Sequence, residues 1–521
     1  MRTNRTAIGM GLVGIALMAG LMSGIGCSNL AEDCEERRRP CDGGSGMNAG
    51  GSGGDGGIPG CEDSPIDNPA VIKYECGVFV RSDAATGGDG TKATPFQSIG
   101  EAVAALPSGK RLYVCGGQTF AETVVLPGGV ELYGGLNCAD ESWTYQGGQA
   151  AAQSVIAPAA GGDVPLTLQA GGGETLVYGV HATAPAGVDP GQSSIAAIVA
   201  DGGAAMLEDC ALTAGDGVEG AEGTTPAGTG MAGEPGNEGK LGCTSAEPLT
   251  GGGSKTSMCT VDESSTGGPG GNGDVGVGGA GSPGTASPVP PDPVSNGGAG
   301  QTDMLACTVG AAGAPGANGT PGMGGAGLGA ISSAGYAGVP GMPGMAAGKP
   351  GQGGGGGGGA RGATVCIPNA GPSGGGGGSG GCGGTVGNGG GPGGSSLGLL
   401  SLSATVSLKN VRIKVGNGGL GGAGSNGQPG GSGGVGGTPA TGSAGACSGG
   451  QGGQGGRGGA AGGGVGGHAI AVAYTVTAPD QAEVNITKGV AGVGGPGGDG
   501  GMMNQGLAGA DGVSMERQSF D

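Results

Sequence analysis

Aromatic residues make up only 2 % of the 521-residue chain, so any core has to be built from aliphatic side chains. Histidine occurs twice, at His181 and His468. Neither has a Ser or Cys partner in a recognisable arrangement, which removes the usual nucleophile–base pairings, and both read as surface residues. No CxxC spacing and no Cys/His cluster is present, which argues against a zinc site. Charged residues are sparse at 12 %, and the balance is one-sided, with 40 acids against 20 bases. A chain this acidic repels nucleic acid and anionic lipid heads, so neither is expected as a partner. Proline, at 32 residues, is too scarce and the glycine period too loose for collagen, although glycine itself numbers 145. Apolar residues are confined to a few islands, so one modest core is expected.

What is present begins with an export signal. Arg2 and Arg5 precede the apolar run AIGMGLVGIALMAGLMSGIG, which ends at Cys27. Gly26-Cys27 resembles the lipobox of bacterial lipoproteins, with Gly24 departing from the usual Leu, and the resemblance implies lipidation of Cys27 after removal of residues 1–26. That anchors the chain to a bacterial outer membrane or cell surface, with simple secretion as the alternative. Residues 27–60 read as a flexible Gly/Ser-rich tether. Export favours disulfides, and thirteen cysteines remain beyond Cys27. By proximity along the chain the local pairs are Cys34/Cys41, Cys61/Cys76, Cys115/Cys138, Cys243/Cys259 and Cys366/Cys382, and the odd total leaves at least one thiol over.

TPFQSIGEAVAALPSG at 94–109 predicts a helix over 95–106, capped by Thr94 with Pro95 in the first turn. Its apolar stripe is Phe96, Ile99, Val103 and Leu106. Short strands follow at RLYVCGG, ETVVLPGG and VELYGG, and then repeats appear. AAMLEDCALTAGDG at 204–217 matches TVSLKNVRIKVGNG at 405–418 with an offset of 201. Residues 174–184 precede the first copy by 30, and residues 483–495 follow the second by 73. Within a copy, Val406 and Leu408 lie on one parity and Val411 and Ile413 on the other. All four can be buried only if the chain bends at Lys409-Asn410. Consecutive layers are therefore expected to stack Leu207 on Leu408, Glu208 on Lys409 and Asp209 on Asn410.

Such cornered strands around an aliphatic axis describe a parallel β-helix. SDAATGGDGTKATPFQSIGEAVAAL leading into RLYVCGGQTFAETVVLPGGVELYGGLNC resembles the short pectin-lyase-like right-handed β-helix domains of unknown function in bacterial, notably myxobacterial, surface lipoproteins. The resemblance covers about 76–215, and the later glycine tracts are PE-PGRS-like in composition alone. It implies a mainly β fold: a right-handed parallel β-helix with an N-terminal capping helix and long glycine-rich, largely irregular insertions between rungs. The expected layout is β-helix over 61–215, an insertion over 216–394, a rung at 395–415, an insertion over 416–466, a rung at 467–490 and a tail over 491–521. Each tract reads as a mobile loop thrown out between rungs, which a solenoid tolerates because each rung contacts only its neighbours. Extended polyproline-II-like packing through glycine faces, suggested by the three-residue period at 310–325 and 335–344, is the alternative.

No residue is assigned to catalysis, a cofactor or a metal. GxGxxG occurrences are compositional, and Asp83 with Asp89 offers at most a weak calcium site. Glu208 and Asp209 are the one carboxylate pair in the rungs and read as a polar corner. Trp143 reads as packing beside the Cys138 turn. The expected function is a non-enzymatic surface scaffold displaying glycine-rich loops for adhesion, matrix contact or spacing. The alternatives are a polysaccharide-binding or polysaccharide-degrading protein with a sparse acidic site, and a glycine-tract surface for ice or crystalline polymer. Extracellular polysaccharide or another surface polymer is the expected partner besides the membrane.

Overall fold

The computed structural model describes residues 58–520, apart from 140, 148, 288–294, 363–365, 441–444 and 502. The signal segment, Cys27, Cys34 and Cys41 and most of the tether therefore lie outside the described residues.

Three parallel sheets account for most of the strands. The first runs, in spatial order, through Gly77–Val80, Arg111–Cys115, Glu131–Leu136, Thr175–Tyr178, Ala204–Glu208, Thr405–Lys409 and Asp480–Ala482. The second takes Thr119–Phe120, Ser154–Ile156, Val180–Ala184, Ala211–Ala214, Arg412–Val415 and Asn485–Thr487. The third takes Val124–Leu126, Leu166–Leu168, Ser194–Val199, Ser396–Leu402, Ala469–Thr475 and Ser514–Ser519. From Arg111 onward the chain visits first, second and third sheet in rotation, with all pairing inside these sheets parallel. Among the described residues the small antiparallel sheets lie within the stretch between Ala214 and Ser396.

The internal repeats are the pairing registers. Leu207 faces Leu408 and Glu208 faces Lys409 across neighbouring strands, 201 residues apart in sequence. Ala205 pairs with Thr175 at an offset of 30, and Arg412 with Asn485 at 73. One aliphatic cluster joins inward residues of all three sheets, among them Leu112, Leu132, Leu207 and Leu408 with Ile156, Leu212, Ile413 and Leu399.

The bend between first and second sheet has a backbone cause. Asp209, Asn410 and Glu483 occupy equivalent corners with φ of 56°, 52° and 57°. One left-handed residue turns the chain and switches which parity faces inward, so both halves of each copy reach the core. The central strands of the third sheet, Ser194–Val199, Ser396–Leu402 and the start of Ala469–Thr475, are buried on both faces, which explains their largely apolar sequences. Its outer side is covered by a hairpin, Ala330–Ser332 with Gly335–Ala337, through Ile331 and Tyr336.

The helix is shorter than its sequence pattern, Ile99–Ala104 instead of 95–106. Thr94–Phe96 are drawn into the edge of the first sheet: Phe96 N–H donates to the Phe79 carbonyl and Arg81 N–H to that of Phe96, each at 2.9 Å. Ser98 becomes the cap, accepting from Glu101 N–H at 3.1 Å, and the Glu122 carboxylate accepts from Ile99 and Gly100. The helix still lays Ile99 and Ala102 on the core, with Phe96, Val103 and Leu106 packed against it.

The disulfides correct two of the pairings expected from proximity. Cys61–Cys76 and Cys115–Cys138 are formed, but Cys243 joins Cys366 and Cys259 joins Cys382, each across 123 residues, and Cys307 joins Cys447. The reason is the packing of the tracts around them. The segment 217–239 runs antiparallel to 371–394, and Cys243 N–H donates to the Ala370 carbonyl at 2.9 Å, so the two chain ends that carry Cys243 and Cys366 meet. Cys210 is buried with its thiol free of any disulfide.

Candidate functional site

Among the described residues the glycine tracts carry little strand and no long helix, yet they are packed and not mobile loops. In 217–239, Gly220 and Gly223 donate to Leu420 and Ala423 of 416–438, and Gly230, Gly233, Gly236 and Gly239 donate to Pro429, Ser432, Val435 and Thr438. Donors and acceptors advance together by three, the repeat of a polyproline-II helix, in which one residue per turn faces each side.

The segment 446–467 shows the packing in full. It donates to 416–438 (Gly452 N–H to Gly434 O) and to 338–362 (Gly453 N–H to Gln352 O). It accepts from 308–325 (Gly313 N–H to Gln451 O) and from 371–394 (Gly381 N–H to Gly453 O). Near its end it adds 489–500 (Gly495 N–H to Gly464 O) and 504–512 (Gly463 N–H to Leu507 O). Six extended chains surround one, with N···O distances of 2.7 to 3.0 Å in these bonds. Hydrogen bonds and close backbone packing hold this second core, whose stretches 351–360 and 371–382 are buried and whose apolar side chains are few and mostly small, such as Ala360, Ala460, Ala461 and Val465.

Glycine density follows the number of neighbours. At the rim, 217–239 has glycine at one position in three while the other two, such as Ala221 and Glu222, are exposed. Inside, GGQGGQGGRGG at 449–459 has two in three, and GGGGGGG at 353–359 has no side chain at all. A Cβ added at Gly381 would sit on the Gly431 carbonyl. The graded pattern is legible in the sequence, although the loop reading ignores it and only the three-residue period at 310–325 and 335–344 points to packing through glycine faces.

Every tract leaves from one place. Insertions depart after Ala214, Val415 and Thr487, all in the second sheet, and return at Ser396, Ala469 and Ser514, all in the third. His468 sits at that joint and is 1 % exposed, which corrects its reading as a surface residue. Val513 N–H donates to Nδ1 at 3.0 Å, so Nε2 carries the proton and donates to the Leu328 carbonyl at 2.9 Å. The ring is packed edge-on against Tyr336, and burial holds its pKa below the ordinary histidine value.

The other sequence-selected residues are engaged locally. Glu208 and Lys409 form an ion pair at 2.5 Å. Asp209 accepts from Asn410 Nδ2 at 2.6 Å and from the Tyr145 hydroxyl at 2.8 Å. Both carboxylates are held by neighbouring side chains at the corner between the first and second sheets. Asp83 Oδ1 accepts from Arg81 and Gln118, and Asp89 Oδ1 from Thr91 and Thr94, so one oxygen of each carboxylate is engaged in its own turn. Trp143 is buried edge-on against Phe79, with centroids 4.9 Å apart, at the end of a ladder in which Phe79, Tyr113, Tyr133 and Tyr178 are cross-strand neighbours. Among the described residues no group of three His, Cys, Asp or Glu is placed to hold a metal ion, and no helix is long and apolar enough to cross a membrane. No family model matches the chain, and neither does any curated protein or solved structure.

Proposed function

We propose that the three sheets are the walls of a right-handed parallel β-helix, and that the protein is a non-enzymatic surface scaffold holding its glycine bundle away from the envelope for adhesion, matrix contact or spacing. Lipid at Cys27 would tether it. One observation carries this reading: three insertions leave and re-enter through one corner and interlock with each other. A bundle held by hydrogen bonds along nearly every chain is rigid, and rigidity is what a spacer or contact surface needs. The engaged state of Glu208 and Asp209 weighs against the alternative of a polysaccharide lyase or hydrolase.

Two arms test the proposal. Purified protein is immobilised on beads, and bead adhesion to cell-surface polysaccharide is compared with that of Gly381→Ala, which disrupts the bundle. The scaffold reading expects adhesion to fall with the bundle. Incubation with polyuronates and neutral polysaccharides is expected to release no fragments. Turnover abolished by Glu208→Ala or Asp209→Ala would overturn the non-enzymatic reading. Acyl labelling lost in Cys27→Ala checks the anchor.

A further inference from the structure

The outer face of the second sheet carries a pocket that the scaffold reading does not use. Cross-strand register places His181, Ala211, Arg412 and Asn485 in one row. Thr183, Thr213, Lys414 and Thr487 form the next. Parallel strands lie about 4.8 Å apart, so the methyl of Ala211 leaves a gap of roughly 9–10 Å between the strands bearing His181 and Arg412. That gap is a cavity of about 250 Å³ lined by Gln153, His181, Thr213, Arg412, Lys414 and Asn485 among others, and among the described residues no acidic side chain lines it.

The site is built, not merely open. Gln153 is 1 % exposed. Its Nε2 donates to the Asp209 carbonyl at 2.6 Å, and its Oε1 accepts from Arg412 Nη2 at 3.0 Å, which aims the guanidinium along the wall. His181 Nε2 lies 2.9 Å from Thr213 Oγ1, fixing the opposite wall. Lys414 is exposed at the rim and takes part in no ion pair among the described residues. In a chain of net charge −20, a cavity with two permanent cations and no anion is a local inversion of sign, and it draws anions of compact size. Exposed Asn485 and Thr487 add neutral groups suited to hydroxyls.

We propose that this pocket binds one anionic sugar unit, its oxyanion on Arg412 and Lys414 and its hydroxyls toward Asn485 and Thr487. The oxyanion could be a phosphate ester or a carboxylate. Calorimetric titration of the full-length protein with glucose 6-phosphate, glucuronate and glucose distinguishes these sources. Binding of either anion at least about tenfold tighter than glucose is expected, with the tighter of the two naming the oxyanion. Arg412→Gln and Lys414→Gln are each expected to weaken it about tenfold, and added salt to weaken it further. Ala211→Leu keeps both cations and fills the gap, so it separates a pocket from a diffuse charge effect. Arg457→Gln, in the glycine bundle, is the control and leaves binding unchanged. Circular dichroism confirms that each variant is folded. Glucose binding equal to the anions, undiminished anion binding in Ala211→Leu, or no binding of either anion overturns the proposal.

Discussion

At the residue scale, two kinds of glycine are distinguished by what surrounds them. Gly381 lies where a Cβ would meet the Gly431 carbonyl, whereas a Cβ at exposed Gly276 would meet nothing within 4 Å. Gly381→Ala is expected to destabilise by about 3 kcal/mol, the upper range for overpacking, because backbone has to move to admit it. Gly276→Ala is expected to be neutral or slightly stabilising. Thermal unfolding of the two variants side by side checks the contrast. Val476 presents the opposite problem. It is a β-branched residue at φ 62° with its side chain 73 % exposed, at the corner where Gly202 and Ser403 also take positive φ. Val476→Gly relieves that strain and forfeits little packing, so a gain of about 1 kcal/mol in denaturant unfolding is expected. Cys210 is fully buried, and burial pushes its thiol pKa up to about 12. Native protein at pH 8 should leave Cys210 unalkylated by iodoacetamide, with full labelling after unfolding, read by mass spectrometry.

At the element scale, the joint between the glycine bundle and the third sheet depends on one neutral imidazole. His468 accepts a backbone bond through Nδ1 and donates one through Nε2, an arrangement that protonation breaks at Nδ1. Its folded pKa lies below the unfolded value near 6.5, and that of His181 is lowered too, chiefly by burial and then by Arg412. A depressed histidine pKa means the unfolded state binds more protons as the solution acidifies. The associated stability is present above about pH 6.5 and is lost as pH falls through the folded value. Unfolding midpoints should be level between pH 7 and 8 and decline below 6.5, with a shallower decline in His468→Gln. An unchanged slope in that variant would remove His468 from the explanation. The strands themselves follow simpler rules. Strands covered on both sides are mostly apolar, and the corners adopt a left-handed backbone that Asp209, Asn410 and Gly202 tolerate readily and Glu483, Ser403 and Val476 adopt as well.

At the scale of the whole molecule, two cores of different physics share one chain. The aliphatic core between the sheets is held by burial of side chains such as Leu207 and Leu408. The glycine core buries few such side chains, Val465 among them, and ordering it costs much backbone entropy, offset by satisfied backbone hydrogen bonds and close packing. Three disulfides, Cys243–Cys366, Cys259–Cys382 and Cys307–Cys447, bind bundle segments far apart in sequence. Native protein is expected to resist limited proteolysis within 308–325 and 371–394. The same digestion after reduction should cut first within the bundle while the sheets survive, a pattern that gel electrophoresis and mass mapping would show.

The strand islands, the bend at Lys409-Asn410 and the registers at 201, 30 and 73 were all readable from the residues. Alternation of apolar side chains is a local property, and repetition reports which copies are neighbours. The inward-facing Leu207 and Leu408 could be paired for that reason, and so could Glu208 with Lys409. The helix start, the partners of Cys243 and Cys259, and the burial of His468 were not readable. Each depends on which distant backbone arrives beside it: Phe79 alongside Phe96, Ala370 beside Cys243, and Leu328 with Val513 around the imidazole. Glycine carries no side chain to signal a partner, so composition could establish only that these tracts approach something closely. Which chains they approach, and that six of them enclose a seventh, was settled by tertiary hydrogen bonding.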